Sequence, residues 1–428
     1  MYCAANQYSS SMAPLKPFLT GVVGAAISLQ LLILANMSYL YGTAYHNSMR
    51  YSTMKVLYVD YDEGAIGQSV TIAYNQMKGP GLPTLLQRSP AEYPTEQEVQ
   101  EDVCKGEYWG AIYSSPNASS RLSAALSSSE NAQAYDNSQA LRYVWSSARY
   151  PSTAEVVYSK LVQFTQGAAS VYKQTTAAEA LTTANISDPN IARTILDPVS
   201  ASSIDLHPMP QGQRFYYNTV SMVMPIIIQF FFIMATNGIS AATNILSTLS
   251  PRTNTALRFA ISISYTFIAS LVMAGYIWAF RENWTVSSGQ FALSWMAIWL
   301  AMHVHNLLID FATAIVPMQF MPFIILTWAI VNVSSTIAPF DLSPGFYRVG
   351  YALPAHPLYE ILLQIWTHGC YPHLDKALSV LWCEWVVALC LFVYGMSRRT
   401  QSSLRTLFTQ GRPGTGTSAS ASLAPSKV

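Results

Sequence analysis

From residue 215 to residue 251 the chain runs 37 residues without an Asp, Glu, Lys or Arg. No other feature limits the fold so strongly. A water-facing segment of that length carries charges, whereas a segment crossing lipid must satisfy its backbone N–H and C=O groups internally and needs about 20 mainly apolar residues as a helix. The same signature recurs. No charge lies between Lys16 and Arg50, with the apolar part at 18–41; the run 259–280 is uncharged; 291–309, 311–340 and 377–396 follow, broken only by Asp310 and by Glu384 inside the last. The apolar core of the long run is 220–239. A secretory signal has a shorter hydrophobic region of about 7–15 residues, so 18–41 reads as an uncleaved anchor. Charged residues make up 11% of the chain, against roughly 25% in soluble domains. The expected fold class is an α-helical integral membrane protein of six spans, one followed by five, with an α/β or α+β extracytoplasmic domain inserted between spans one and two.

Charge distribution orients the spans. With residues 1–17 cytosolic, the cytosolic side carries Lys16, Arg252, Arg258, Arg398, Arg399, Arg405, Arg412 and Lys427 against a single acid, Asp310. The positive-inside rule then puts both termini in the cytosol, with residues 50–215 outside and 397–428 as a disordered cytosolic tail, in the plasma membrane or a secretory-pathway membrane. Three glycosylation sequons, at Asn117, Asn185 and Asn283, fall on the outer side; those at Asn36 and Asn332 fall within or beside spans.

Residues 50–215 hold 12 Lys/Arg and 16 Asp/Glu, a soluble balance. Residues 55–60 (KVLYVD) read as a strand, 65–77 as a helix ended by Gly79-Pro80-Gly81, and 96–105 as a helix capped by Thr95 with Glu98 three residues on. Strands are expected at 110–113 and 140–145, and helices at 119–126 and 154–172. Asp60, Asp62 and Glu63 lack the twelve-residue ligand pattern of an EF-hand and read as solvated turn acids. Proline fragments 341–376 at Pro344, Pro354 and Pro357. Its apolar stretch 359–366 reads as re-entrant or interfacial, with Tyr347, Tyr351, Tyr359 and Trp366 at headgroup level.

No P-loop, nucleophile elbow or His-Glu-x-x-His motif occurs, so an enzyme, a resident metal and a bound cofactor are not expected. His303 and His305 project about 200° apart on a helix and do not share an ion easily. The net charge of +1 excludes a nucleic-acid binder that works by phosphate neutralisation. Ionisable and amide groups inside spans are the functional candidates. His303, Asn306 and Asp310 share a helix face; Glu384 lies within the last span; Asn237 and Asn332 add polar contacts, as does Gln229. These residues form either a proton path through Glu384, His303 and Asp310 or hydrogen bonds between helices. Pro225, Pro317 and Pro322 interrupt spans two and five. Cys383 and Cys390 read as packing residues of the last span, and Cys3 as a reduced cytosolic thiol. Cys104 and Cys370 fall together on the oxidising side, either bridged or as two unrelated small residues.

The plan of one span, an outer domain and five spans resembles ABC-type exporter permeases. Residues 56–68 (VLYVDYDEGAIGQ) and 106–113 (GEYWGAIY) are similar to the bacterial phage-infection-protein branch of that superfamily. Residues 337–360 (IAPFDLSPGFYRVGYALPAHPLYE) resemble the signature of the fungal nitrosoguanidine-resistance-protein family, and the resemblance extends over about 15–400. It implies a membrane protein that confers resistance to toxic small molecules by exporting a small molecule or lipid, without a nucleotide-binding domain of its own. The alternatives are a non-transporting organiser that affects lipid distribution and, last, a membrane-bound enzyme of a metabolite pathway. The expected partners are membrane lipids, an unidentified small-molecule or lipid substrate and a second copy of the chain.

Overall fold

The computed structural model describes residues 15–177, 182 and 184–410. Residues 1–14 and 411–428, with Cys3, Arg412, Lys427 and most of the expected tail, lie outside the described residues. The order begins with α1 (Leu15–Thr43), β1 (Lys55–Asp60), α2 (Ala65–Met77), β2 (Thr84–Arg88), α3 (Glu96–Lys105) and β3 (Gly110–Ser114). It continues with α4 (Ala118–Ser127), α5 (Ser129–Ala134), β4 (Leu141–Trp145), α6 (Pro151–Tyr172), α7 (Pro189–Leu196) and β5 (Ala201–Asp205). A helical bundle completes the chain: α8 (Val220–Ala242), α9 (Pro251–Ala279), α10 (Ser288–Ile315), α11 (Met321–Ser334), α12 (Ala355–Trp366) and α13 (Leu374–Gln410).

The strands form one mixed sheet in the order β2-β1-β3-β4-β5, with β3 and β4 antiparallel and the other pairs parallel. Val56 and Tyr58 of β1 pack with residues of α2 and α6, while Leu57 and Val59 pack with Val99 and Val103 of α3 on the other face. A strand covered on both faces needs no polar alternation, which is why KVLYVD reads as nearly continuous apolar chain. The Thr95 hydroxyl caps α3 by accepting from the Glu98 N–H at 3.4 Å, and Gly106 ends it at φ 83°. The expected strands are β1, β3 and β4. The two edge strands, β2 and β5, were not expected: TLLQR and ASSID are short, half-covered and weak in β-branched residues.

In the acidic corner Glu63 is exposed as expected, but Asp60 and Asp62 are half-buried and bonded. Asp60 Oδ1 accepts from the Ser114 hydroxyl at 2.6 Å and from the Glu63 N–H at 3.0 Å. Asp62 accepts from the Ser119 N–H at 2.7 Å, at the start of α4, and from its hydroxyl at 2.5 Å. The two acids therefore cap backbone and fix the turn between β1 and α2.

Among the described residues five helices, α1, α8, α9, α10 and α13, are long and apolar enough to cross a membrane, and α11 is a shorter apolar helix. Their outward faces are greasy: Phe18, Phe231, Ile268 and Val387 are all more than half exposed, a surface that suits lipid and not water. Three expectations are corrected here. The chain does not turn at Asp310, because α10 runs through it to Ile315. Pro317 and Pro322 do not interrupt a span; they sit at the turn before α11 and in its first turn, where a missing N–H costs little. Cys383 and Cys390 face outward instead of packing in the bundle.

The helix α12 is longer than expected and almost wholly buried. Tyr359 and Trp366 lie in the protein core, and Tyr347 donates to the Tyr39 carbonyl at 2.7 Å, so of the four aromatic residues expected at headgroup level only Tyr351 is exposed. Gly350 is required by close approach, since a Cβ there would lie 2.7 Å from Phe340 and 2.8 Å from Ser335. One hydrophobic core runs from the sheet (Tyr58, Ile112) through Tyr150 and Tyr359 to Ile298 and Phe392 in the bundle. The sheet domain is thus packed onto the helices.

Candidate functional site

Two charged centres lie towards opposite ends of α13. The first is buried among α8, α9, α10 and α13. Asp310 accepts from Arg258 Nε at 2.5 Å and Nη2 at 2.7 Å, and from Arg399 Nη2 at 3.0 Å. Asn237 Oδ1 accepts from Arg258 Nη2 at 2.5 Å and from Arg399 Nη1 at 3.2 Å, and its amide nitrogen donates to the Thr313 hydroxyl at 3.2 Å. The carboxylate side chain is only 4% exposed. A buried carboxylate shared by two arginines, each with further acceptors, is the form in which such a charge is tolerated in an apolar bundle. Sequence reading placed Arg258 and Arg399 in the cytosolic charge count and missed this role. The missed signal was each arginine's position beside an apolar run that contains a polar partner.

The other intramembrane candidates separate. His303 Nδ1 accepts from Trp385 Nε1 at 2.9 Å, and its Nε2 lies 3.1 Å from the Ser262 hydroxyl. His305 turns to Trp328, whose Nε1 donates to it at 3.1 Å, so the two histidines face different helices. Asn306 donates to Gln229 Oε1 at 2.9 Å. Asn332 accepts from the Ala355 N–H at 3.2 Å and thereby docks the start of α12 on α11. Glu384 is the exception to the expectation of helix–helix hydrogen bonding: both carboxyl oxygens are buried with no partner among the described residues. His303, Asn306 and Asp310 thus share a helix but serve three different contacts, and no bonded chain links them to Glu384.

The second centre is a cavity of about 360 Å³ where the sheet domain, the 337–360 segment and the start of α13 meet. Cys104, at the end of α3, is disulfide-bonded to Cys370, just before α13, with Cα atoms 5.0 Å apart. This bond and the seating of Tyr150 on α12 hold the cavity's walls together. The Tyr150 N–H donates to the Tyr359 hydroxyl at 2.9 Å, and the Tyr150 hydroxyl to Glu360 Oε1 at 3.2 Å. Burial, with Glu360 beside it, pushes the Tyr150 phenol well up, so it stays a donor. Arg149 stacks between two rings, 3.6 Å from the Trp109 centroid and 4.7 Å from Tyr371. Burial pushes its guanidinium down to about 10, still charged at neutral pH. Phe340, Tyr351 and His356 form a ring cluster with centroids 4.4 to 5.0 Å apart. Of this centre, sequence reading had singled out the cysteines, Tyr351, the 106–113 segment with Gly106 and Trp109, and the 337–360 signature.

Asn117, Asn185 and Asn283 are all exposed, on the sheet domain and in the α9–α10 loop. No group of three or more His, Cys, Asp or Glu side chains suited to a metal ion occurs among the described residues.

Apolar outward helices around buried polar ties define the class: an α-helical, multi-span membrane protein with a small sheet domain. Within that class the chain belongs to the DUF3533 family, described as proteins of unknown function, whose model matches residues 25–391. It is similar to an uncharacterized endoplasmic reticulum membrane protein of Saccharomyces cerevisiae, 30% identical over 118 residues, which cover 26% of this chain and 23% of the relative. The match thus spans about a quarter of that relative's length. No solved structure matches the chain.

Proposed function

We propose that this chain is a permease-like protein of the nitrosoguanidine-resistance type that protects a fungal cell from toxic small molecules by exporting a small molecule or lipid. The supporting observation is the 360 Å³ cavity, because the 337–360 signature supplies much of its wall at the level where the bundle begins. In this reading α11 is the fifth of six spans, both ends are cytosolic and the sheet domain is extracytoplasmic. The membrane is plasma or secretory, and the endoplasmic reticulum relative favours the latter. Deletion and overexpression strains challenged with a panel of toxic compounds, followed by transport assays in liposomes, test it. Altered resistance together with movement of a compound supports export. Unchanged resistance to every compound and no movement in liposomes remove it.

Two observations refine the proposal. Glu384 keeps two buried carboxyl oxygens free of hydrogen bonds, as a proton-carrying group would. On this reading Glu384→Gln abolishes resistance while membrane delivery stays normal; unaltered resistance in that variant excludes proton coupling here. The core continuous from sheet to bundle, tied by Cys104–Cys370, favours the second reading, a static membrane organiser. Glycosidase treatment tests the topology: a mobility shift that disappears when Asn117, Asn185 and Asn283 are all replaced by Gln supports an outer sheet domain.

A further inference from the structure

The cavity between sheet domain and bundle holds charges of both signs, in which Arg149 and Lys376 form no close ion pair and Glu360 and Asp341 act on Arg149 only at longer range. Arg149 donates through Nη1 to the Tyr108 carbonyl at 3.3 Å, but its Nε is buried without a partner. Lys376, near the start of α13, lines the same space. Neither cation has a carboxylate within 4 Å among the described residues. Asp341 and Glu360 line the cavity too, beside the Phe340, Tyr351 and His356 rings. Glu360 is 8% exposed, and its partners are the Tyr150 hydroxyl and, 3.9 Å away, His373 Nδ1.

Charges held apart in a partly closed space call for a ligand with a dipole of its own. A phosphodiester oxygen suits a guanidinium and an ammonium. An alkylammonium group suits aromatic faces backed by carboxylates. The volume lies at the low end of pockets that enclose whole small molecules, about 300–1,000 Å³, and therefore takes a headgroup without its chains. Below Lys376 the wall continues along α13 as Ala377 and Val380, apolar residues that lead into the spanning part of that helix.

We propose that this cavity binds the zwitterionic phosphodiester headgroup of a membrane phospholipid, with the phosphate on Arg149 and Lys376 and the ammonium group between the Phe340–Tyr351–His356 rings and the carboxylates of Asp341 and Glu360. The inference deepens the export reading and rests on it only for the claim that the bound lipid is cargo. Binding is measured without transport, so the two fail separately.

The test uses the full-length protein in detergent and follows thermal melting with added short-chain phosphatidylethanolamine, phosphatidylcholine, phosphatidylglycerol, glycerophosphoethanolamine or inorganic phosphate. Both zwitterionic lipids are expected to raise the melting temperature saturably, well above the effect of the other three. Loss of one charge-assisted contact in Lys376→Gln is expected to weaken their apparent affinity about tenfold. Asp341→Asn is expected to weaken the zwitterionic lipids but not phosphatidylglycerol. Lys376 and Asp341 are exposed, so both variants should fold. Equal or stronger binding of phosphatidylglycerol would overturn the zwitterion assignment, and equal binding of glycerophosphoethanolamine would overturn the lipid. No shift with any of the five, or unchanged affinities in both variants, would overturn the site.

Discussion

The centre around Asp310 and the cavity around Arg149 both place arginines among apolar and aromatic side chains, yet they are built on opposite rules. At Asp310 two arginines converge on one carboxylate, and Asn237 and Thr313 take up further hydrogen bonds. At Arg149 the guanidinium is held by rings and one carbonyl, with no acid within 4 Å. A satisfied cluster binds helices together and has little capacity left for a ligand. An unsatisfied one keeps its electrostatic potential for something that arrives later.

The comparison breaks most visibly at Asp310. Asp310→Ala strands two buried arginines and should cost about 3–5 kcal/mol, seen as loss of folded protein by size-exclusion chromatography and a collapsed melting temperature. A variant that melts normally would mean that the arginines reach water and that the cluster is no tie. Next in size is the bridge beside the cavity. Cys104→Ser should cost roughly 2–5 kcal/mol, and reductant should lower the melting temperature of the parent but not of the variant. Equal sensitivity of both to reductant would exclude the bond.

Smaller effects sharpen the contrast. Asn306→Leu removes the bond to Gln229 and should cost about 0.6 kcal/mol, the average for one polar contact between helices in lipid, and no more than about 1.7. Resistance should survive, since this contact belongs to the satisfied class. The least effect is expected from protons at the cavity. Burial pushes the His356 imidazole below its ordinary value of 6.5, and Ser335 O lies 3.2 Å from its Nδ1. The unfolded chain therefore takes up a proton near pH 6.5 that the folded chain refuses until lower pH, so stability falls as the medium is acidified below about 6.5. Melting curves from pH 7.5 to 5 should show this slope reduced in His356→Gln; identical slopes would mean that His356 is solvated.

The membrane character and much of the sheet domain were legible from residue order alone. An uncharged run such as 215–251 admits few solutions, because lipid supplies no hydrogen-bond partners and a helix satisfies its own backbone. KVLYVD and the Thr95–Glu98 cap act over a few residues, so strand β1 and helix α3 could be placed before any contact was known. β2 and β5 could not, since an edge strand takes its identity from the neighbour it pairs with.

The limits of such reading lie in the charges. Asp310 looked like the end of a span because a lone acid is costly in lipid; only the arrival of Arg258 and Arg399, 52 residues before it and 89 after, lets α10 continue through it. Tyr359 and Trp366 looked interfacial because aromatic residues favour headgroups, yet Tyr359 is buried against Tyr150 of the sheet domain and Trp366 against Tyr217, Trp284 and Ser294 of the bundle. Backbone satisfaction and apolar periodicity are local, and they set where most helices lie and that the chain enters a membrane. Whether a charge is neutralised, a carboxyl left bare as at Glu384, or a cavity kept open beside Arg149 depends on side chains distant in sequence, because Coulomb and desolvation energies follow separation in space.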